Sequence, residues 1–293
     1  MVSAQKEGNI KVTQHTDEER FSSFSLLMSV YYHDDANYLN SSLNSIISQT
    51  CPPSEIVLVK DGPLKEACDK VISDFQLRYN ATLTIIALEK NVGLGHALRA
   101  GLDACTYELV ARMDADDICE PDRFEIQLKY FEENPETDVL SSYIGEFDTD
   151  EKKIITIRKV PLEPGLIIKK ARYRNPINHM AVMFKKTPVL SVGSYNDFLW
   201  FQDYYLWARL LKAGYRFANV PNVLIRARAG NELFQRRGGW EYLKQEMLLQ
   251  KEFLKMGFIN FPIFVFNVFI RSLVRIMPNT MRASLYGNYL RHS

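Results

Sequence analysis

Through roughly the first 120 residues, short apolar runs rich in β-branched residues alternate with stretches whose apolar residues recur every three or four positions. That alternation is the signature of strands and amphipathic helices in turn, and it predicts a doubly wound α/β sheet, mostly parallel and flanked by helices. Residues 24–32 read as the first strand. Leu39, Leu43, Ile46 and Ile47 follow at helical spacing, and Pro52-Pro53 marks the end of that helix. Residues 56–60 form a second strand that closes on the turn dipeptide Asp61-Gly62. Residues 83–88 form a third, leading into Asn91-Val92-Gly93-Leu94-Gly95 and a helix with Leu94, Ala97, Leu98 and Leu102 as its expected buried stripe. A fourth strand, 108–113, stops at Asp114-Ala115-Asp116-Asp117. Polar candidates thus collect at strand C-termini, where open α/β sheets bind ligands.

The period is less regular afterwards. A charged helix is expected from Pro121 to about Glu133, then short strands to about Lys186, a helix over 202–213, and strands at 215–219 and 223–228. From Trp240 the pattern is helical. At 293 residues, one α/β unit with an extension fits the length. The expected organisation is a flexible segment 1–22, a main domain 23–230 that divides near 120, and a helical extension 231–293.

Net charge is only +1, which argues against a general nucleic-acid binder. The distribution is uneven: residues 204–293 hold 14 Lys and Arg against 4 Asp and Glu, and residues 1–203 hold 22 against 31. A phosphate-rich ligand or an anionic lipid surface would suit the basic end. Cys51, Cys68, Cys105 and Cys119 form no C-x-x-C pair, so neither a zinc knuckle nor a disulfide framework is expected, and a cytoplasmic setting follows. The polar N-terminus lacks the apolar core of a secretory signal.

Asp114 and Asp116 at a strand end suit Mg²⁺ or Mn²⁺, which take oxygen ligands and keep positions for phosphate and water. Such a cation neutralises a departing diphosphate. A solvated acidic turn is the alternative. Asp61 can aim a carboxylate at a base N–H or a ribose hydroxyl, and Lys90-Asn91-Val92-Gly93 opens a helix where N–H groups and a lysine meet a phosphate or a base carbonyl. Asp203, at the mouth of a helix, is the candidate base for a hydroxyl proton, with stabilisation of the helix dipole as its bland alternative.

In this order these pieces resemble the family 2 glycosyltransferases of the GT-A fold, in particular bacterial enzymes that build O-antigen, capsule and exopolysaccharide repeats. The resemblance spans roughly residues 25–228. It is carried by Lys90-Asn91-Val92-Gly93-Leu94-Gly95-His96-Ala97-Leu98, by Met113-Asp114-Ala115-Asp116-Asp117 with Pro121-Asp122-Arg123-Phe124, and by Asp203-Tyr204-Tyr205-Leu206-Trp207-Ala208-Arg209-Leu210.

It implies inverting, metal-dependent transfer of a hexose, galactose or glucose, from a UDP-sugar to a glycan acceptor on a lipid diphosphate. Asp61 and Lys90 would contact uracil, Asp114 would lie near the ribose, Asp116 with Asp114 would hold Mn²⁺ or Mg²⁺, and Asp203 would be the base. Tyr31, Gly93, His179 and Arg228 complete the expected donor contacts, with Arg226 a rival of Arg228 for the pyrophosphate. Gln202 stands where the family usually has a carboxylate. Gln235-Arg236-Arg237-Gly238-Gly239-Trp240 has the wrong spacing for the Gln-x-x-Arg-Trp motif of processive synthases, so addition of a single sugar is expected.

Two other classes share parts of this pattern. A nucleotidyltransferase would need a glycine- and arginine-rich loop after the first strand, and Ser29-Val30-Tyr31-Tyr32-His33-Asp34-Asp35 is not one. A non-catalytic sugar-nucleotide binding protein is the other. Near the C-terminus, residues 256–270 carry no charge, and as a helix they would span about 22 Å, short of the roughly 30 Å hydrocarbon core. With Arg271, Arg275 and Arg282 following, an in-plane helix on the inner face of the plasma membrane is expected, the alternative being packing on the core or on a homodimer partner.

Overall fold

The computed structural model describes residues 23–196, 198–229 and 239–276. The segment 1–22, the stretch Gln235 to Gly238 and Arg282 lie outside them, as does the side chain of Arg275.

Four strands form the parallel half of the sheet: β1 (Phe24–Tyr31), β2 (Glu55–Asp61), β3 (Leu83–Ala87) and β4 (Leu109–Asp114), side by side as β3-β2-β1-β4. Helices α1 (Ala36–Ile47), α2 (Glu66–Tyr79) and α3 (Leu94–Ala104) connect them. The continuous apolar run in β1 follows from burial on both faces. Leu26 and Met28 pack with Leu39, Leu43 and Phe75 of α1 and α2. Leu27 faces the other way, into a cluster with Ala97, Leu98 and Leu102 of α3. Parallel register aligns Tyr31 with Asp61 and Ser29 with Asp114, so the C-terminal ends of β1, β2 and β4 form one edge.

The α3 stripe differs from expectation at its start. Leu94 lies in the first turn and is exposed, while Gly101 takes the contact position. A Cβ there would come within 2.4 Å of Leu27 and 2.7 Å of Val59, so the missing side chain is what lets the helix sit on the sheet.

The second half adds β5 (Ile118–Cys119), α4 (Arg123–Glu133), β6 (Val139–Phe147), β7 (Thr156–Arg158), α5 (Pro164–Ala171), β8 (Met183–Lys185), α6 (Lys186–Ser191), α7 (Gln202–Lys212) and β9 (Phe217–Arg228). Here the sheet continues β4-β8-β6-β9-β5, with β7 on β6. β8 runs antiparallel to both β4 and β6, and only β6 and β9 pair in parallel, so the mostly parallel character belongs to the first four strands. The two strands expected at 215–219 and 223–228 are one. Pro221 has no N–H to give, so the ladder skips from Val220 to Val223 across an exposed bulge.

Two helices follow, α8 (Trp240–Lys255) and α9 (Phe261–Ile276). Tyr242, Leu249, Phe253, Phe258 and Ile259 pack against Ala171, Phe201, Tyr204 and Ala208, which fixes the extension to α5 and α7.

Candidate active site

The end of β4 sets the electrostatics. Arg112, 2% exposed, ion-pairs through Nη2 with Asp114, and Ser42 Oγ donates to the Asp114 carbonyl at 3.2 Å. Asp116 is half-buried, and burial, then the charge of Asp114, pushes its pKa up to about 6, opposed by a backbone hydrogen bond and by Arg228 and Arg112. Asp117 is buried. It accepts from the Arg228 backbone N–H at 3.0 Å, its Oδ2 has no hydrogen-bond partner among the described residues, and burial with its acidic neighbours holds its pKa well above the carboxylate range.

Asp34, from the loop after β1, accepts from Tyr31 N–H at 2.8 Å. Burial pushes it up to about 7 against that hydrogen bond, and Asp116 and Asp114 add to the rise. Four carboxylates therefore share one place at the sheet edge. Arg228 reaches the same place, its guanidinium 3.6 Å above the Tyr38 ring and 4.6 Å from that of Phe147, with Nη1 donating to the Asp148 carbonyl at 3.2 Å. The rival Arg226 is paired with Glu120 at 3.0 Å and donates to the Glu151 carbonyl at 2.9 Å.

Burial raises these carboxylates first and their acidic neighbours add to the rise, so ionising them together calls for counter-charge, which a divalent cation would supply. Among the described residues no three His, Cys, Asp or Glu side chains form a ready cage. One or two of these carboxylates with donor phosphate and water would complete such a site, as Mg²⁺ and Mn²⁺ allow.

Asp61 organises the neighbouring edge. It is 3% exposed and accepts from Val92 N–H at 2.7 Å, Asn91 Nδ2 at 3.0 Å and Gly93 N–H at 3.1 Å. The sequence expectation had this carboxylate facing a ligand; the structure shows it first fixing the turn that opens α3. Gly62 has φ +85°, and a Cβ there would lie 2.5 Å from Asn91 N, so the two turns interlock. Gly93, φ +87°, caps α3, and Lys90 is exposed beside it.

The α7 side supplies the rest. A Cβ on Gly95 would meet the Asn196 carbonyl at 2.7 Å and Gln202 Cβ at 3.3 Å, so the first turn of α3 lies directly against the start of α7. Gln202 is buried there. Asp203 accepts from Asn175 Nδ2 at 2.8 Å. Burial raises its pKa, and the Tyr204 N–H, the charge of Arg112 and the Asn175 amide pull against that rise. His179, 8% exposed, faces Tyr195 Oη through Nε2 at 3.0 Å and packs on Trp207; burial, then Arg112, holds its pKa well below the histidine range.

One buried guanidinium thus connects the two halves: Arg112 pairs with Asp114, and its charge acts on Asp203, His179 and Tyr195. Sequence reasoning missed Arg112, Asp34, Asn175 and Tyr195. Arg112 was legible as a charge inside an otherwise apolar strand, and Asp34 sits in the loop that follows β1. Nothing in the sequence marks Asn175 or Tyr195.

The profile of glycosyl transferase family 2 matches residues 25–193, more than half of the chain, and the protein belongs to that family. Over 266 residues it is 41% identical to the amylovoran biosynthesis glycosyltransferase AmsE of Erwinia amylovora, covering 90% of this chain and 97% of that protein. Over 268 residues it is 35% identical to the UDP-Gal:α-D-GlcNAc-diphosphoundecaprenol β-1,3-galactosyltransferase of Escherichia coli, covering 92% and 96%. In fold it is similar to S. aureus TarS 1–349 in complex with UDP-GlcNAc, with TM-score 0.62, 16% identity, and 92% of this chain and 72% of that one covered. The mannosyltransferase PcManGT from Pyrobaculum calidifontis, in complex with GDP-Man and Mn²⁺, gives TM-score 0.60 at 17% identity, over 92% and 76%. The protein is a glycosyltransferase of polysaccharide biosynthesis with a GT-A type fold.

Proposed function

We propose that the enzyme transfers a single hexose, galactose or glucose, from a UDP-sugar to a sugar hydroxyl of a lipid-diphosphate-linked acceptor at the inner face of the membrane, with inversion and with Mn²⁺ or Mg²⁺ bound. The observation that carries this reading is the buried Arg112, which ion-pairs with Asp114 at the acidic turn and whose charge opposes the burial-driven rise of the Asp203 pKa. In this reading a donor held at the acidic turn lies within reach of the proposed base. The E. coli relative, named for UDP-Gal and a diphosphoundecaprenol acceptor, supports the choice of donor and acceptor.

In this reading Asp61 uses a remaining lone pair, and Lys90 its ammonium, to hold uracil against the turn capped by Gly93, with Tyr31 alongside. Asp114 faces the ribose, and Arg228 meets the pyrophosphate from the end of β9. A divalent cation on Asp116, with Asp114, would neutralise the leaving UDP. His179 supports the donor face through Tyr195. Asp203, oriented by Asn175, takes the proton from the acceptor hydroxyl as that oxygen attacks C1 from the face opposite UDP, which inverts the anomeric centre.

A thermal-shift panel of UDP-, GDP-, dTDP- and CMP-sugars with and without Mn²⁺ tests the donor assignment. At about 100-fold excess over Kd a bound donor adds ~2.7 kcal/mol, or several degrees of melting temperature. UDP-hexoses should give this shift and should need the cation. Equal shifts for every base, or a UDP shift indifferent to Mn²⁺, would overturn it.

A further inference from the structure

Helix α9 carries its polar groups inward. Asn267, 3% exposed, donates to Gln250 Oε1 at 2.8 Å and to the Arg172 carbonyl at 2.9 Å. Arg271, one turn on, ion-pairs with the buried Glu246 and donates to the Tyr173 carbonyl. These bonds fix the rotation of the helix and leave apolar side chains outside. Phe261, Val265, Phe266, Phe269, Ile270 and Leu273 are between 42% and 65% exposed. Their spacing places them in one stripe along the helix, and every exposed residue described in α9 is apolar. A continuous stripe of this kind marks a surface that something apolar covers.

Positive charge adjoins it. The segment that Asn267 and Arg271 grip carries Lys169, Lys170, Arg172 and Arg174. Lys169 and Arg172 are exposed on it. Tyr173 lies edge-on to Phe266 at 6.1 Å, so the cationic segment and the apolar stripe are contiguous.

We propose that this stripe and its cationic rim are the docking surface for an anionic lipid bilayer, with α9 lying in the membrane plane. Anionic headgroups neutralise the cationic rim, whereas the exposed residues described in α9 are all apolar and would bring no counter-charge from a second copy paired on the same stripe. The described part of α9 spans about 24 Å, against a hydrocarbon core of about 30 Å. No helix among the described residues is long and apolar enough to cross a membrane.

Docking also orients the reaction, and this part rests on the function proposed above. The gripped segment continues into Asn175, which holds Asp203, and Tyr204 Oη donates to the Ala171 carbonyl at 2.7 Å. The proposed base thus sits beside the surface that faces the lipid, where a lipid-borne acceptor arrives.

Flotation of the full-length protein with vesicles of phosphatidylglycerol, and separately of phosphatidylcholine, tests the docking. The wild type should float with phosphatidylglycerol, less so with added salt or with phosphatidylcholine. Phe266→Ser/Phe269→Ser should lower the bound fraction roughly tenfold or more with its melting temperature unchanged. Should that pair disturb folding, Arg172→Glu on the exposed rim should weaken binding to phosphatidylglycerol alone. The proposal is overturned if the wild type stays unbound, or if the variants float equally well. Sedimentation then identifies the true cover of the stripe: a dimer broken by the double variant points to a second copy, a monomer to the chain's own residues 277–293. Flotation uses no sugar donor, so its failure leaves the transfer reaction standing, and loss of UDP-sugar binding leaves the docking standing.

Discussion

A buried guanidinium needs a counter-charge, and at Arg112 that requirement ties the site together. Removing it, as in Arg112→Met, strands Asp114 beside Asp116 and Asp117 without its partner. A loss of about 1–3 kcal/mol, the usual consequence of leaving a part-buried group without its partner, is expected in urea melts of the ligand-free protein. Asp203→Asn should lower kcat by about 10²–10⁴-fold, the usual contribution of a general base, while calorimetry shows unchanged donor affinity. Because burial raises the Asp203 pKa, the acid limb of kcat/KM should lie above the usual carboxylate value of about 4. Asp34 gives a sign test on stability. Its folded pKa is raised from 3.8 to about 7, so its protonated form favours the fold below 3.8 and that contribution is lost as pH rises through about 7. Asp34→Asn should therefore melt a few degrees higher than the wild type at a pH above 7, with the gap closing toward acid.

Among the elements, the interlocked turns after β2 and before α3 are the most exacting. Gly62 combines a φ of +85° with a Cβ position 2.5 Å from Asn91 N. In Gly62→Ala both strain and clash fall on the backbone that Asp61 holds, so a loss of about 2 kcal/mol or more is expected, with weaker UDP binding by calorimetry. The parallel strands and α3 were legible because burial on two faces leaves a continuous apolar signal, and helical burial leaves a period. The Asn91-Val92-Gly93 turn was legible as a turn. That Asp61 caps it was not, because a hydrogen bond between residues 30 apart leaves no local pattern. The single strand β9 was read as two because Pro221 breaks the ladder without ending the strand.

Across the whole molecule, α8 and α9 buttress the α7 side of the site. Phe253 is wholly buried and stacks edge-on against Tyr204 at 4.9 Å, next in sequence to Asp203. Phe253→Ala should cost about 3–5 kcal/mol by thermal or urea unfolding and should lower kcat as Tyr204 loses its support.

The sequence alone determined the α/β class, the placing of candidate residues at strand ends and the resemblance to family 2 glycosyltransferases, because period and turn chemistry are local properties of the chain. An apolar, basic C-terminal end was equally plain. Only the tertiary structure decided that Arg112 joins Asp114 to the surroundings of Asp203, that His179 faces Tyr195, and that α9 turns Asn267 and Arg271 inward and its phenylalanines out. Each of those depends on a partner far away in the chain, and the choice of which helix face is buried rests on polar partners that no reading of hydropathy contains.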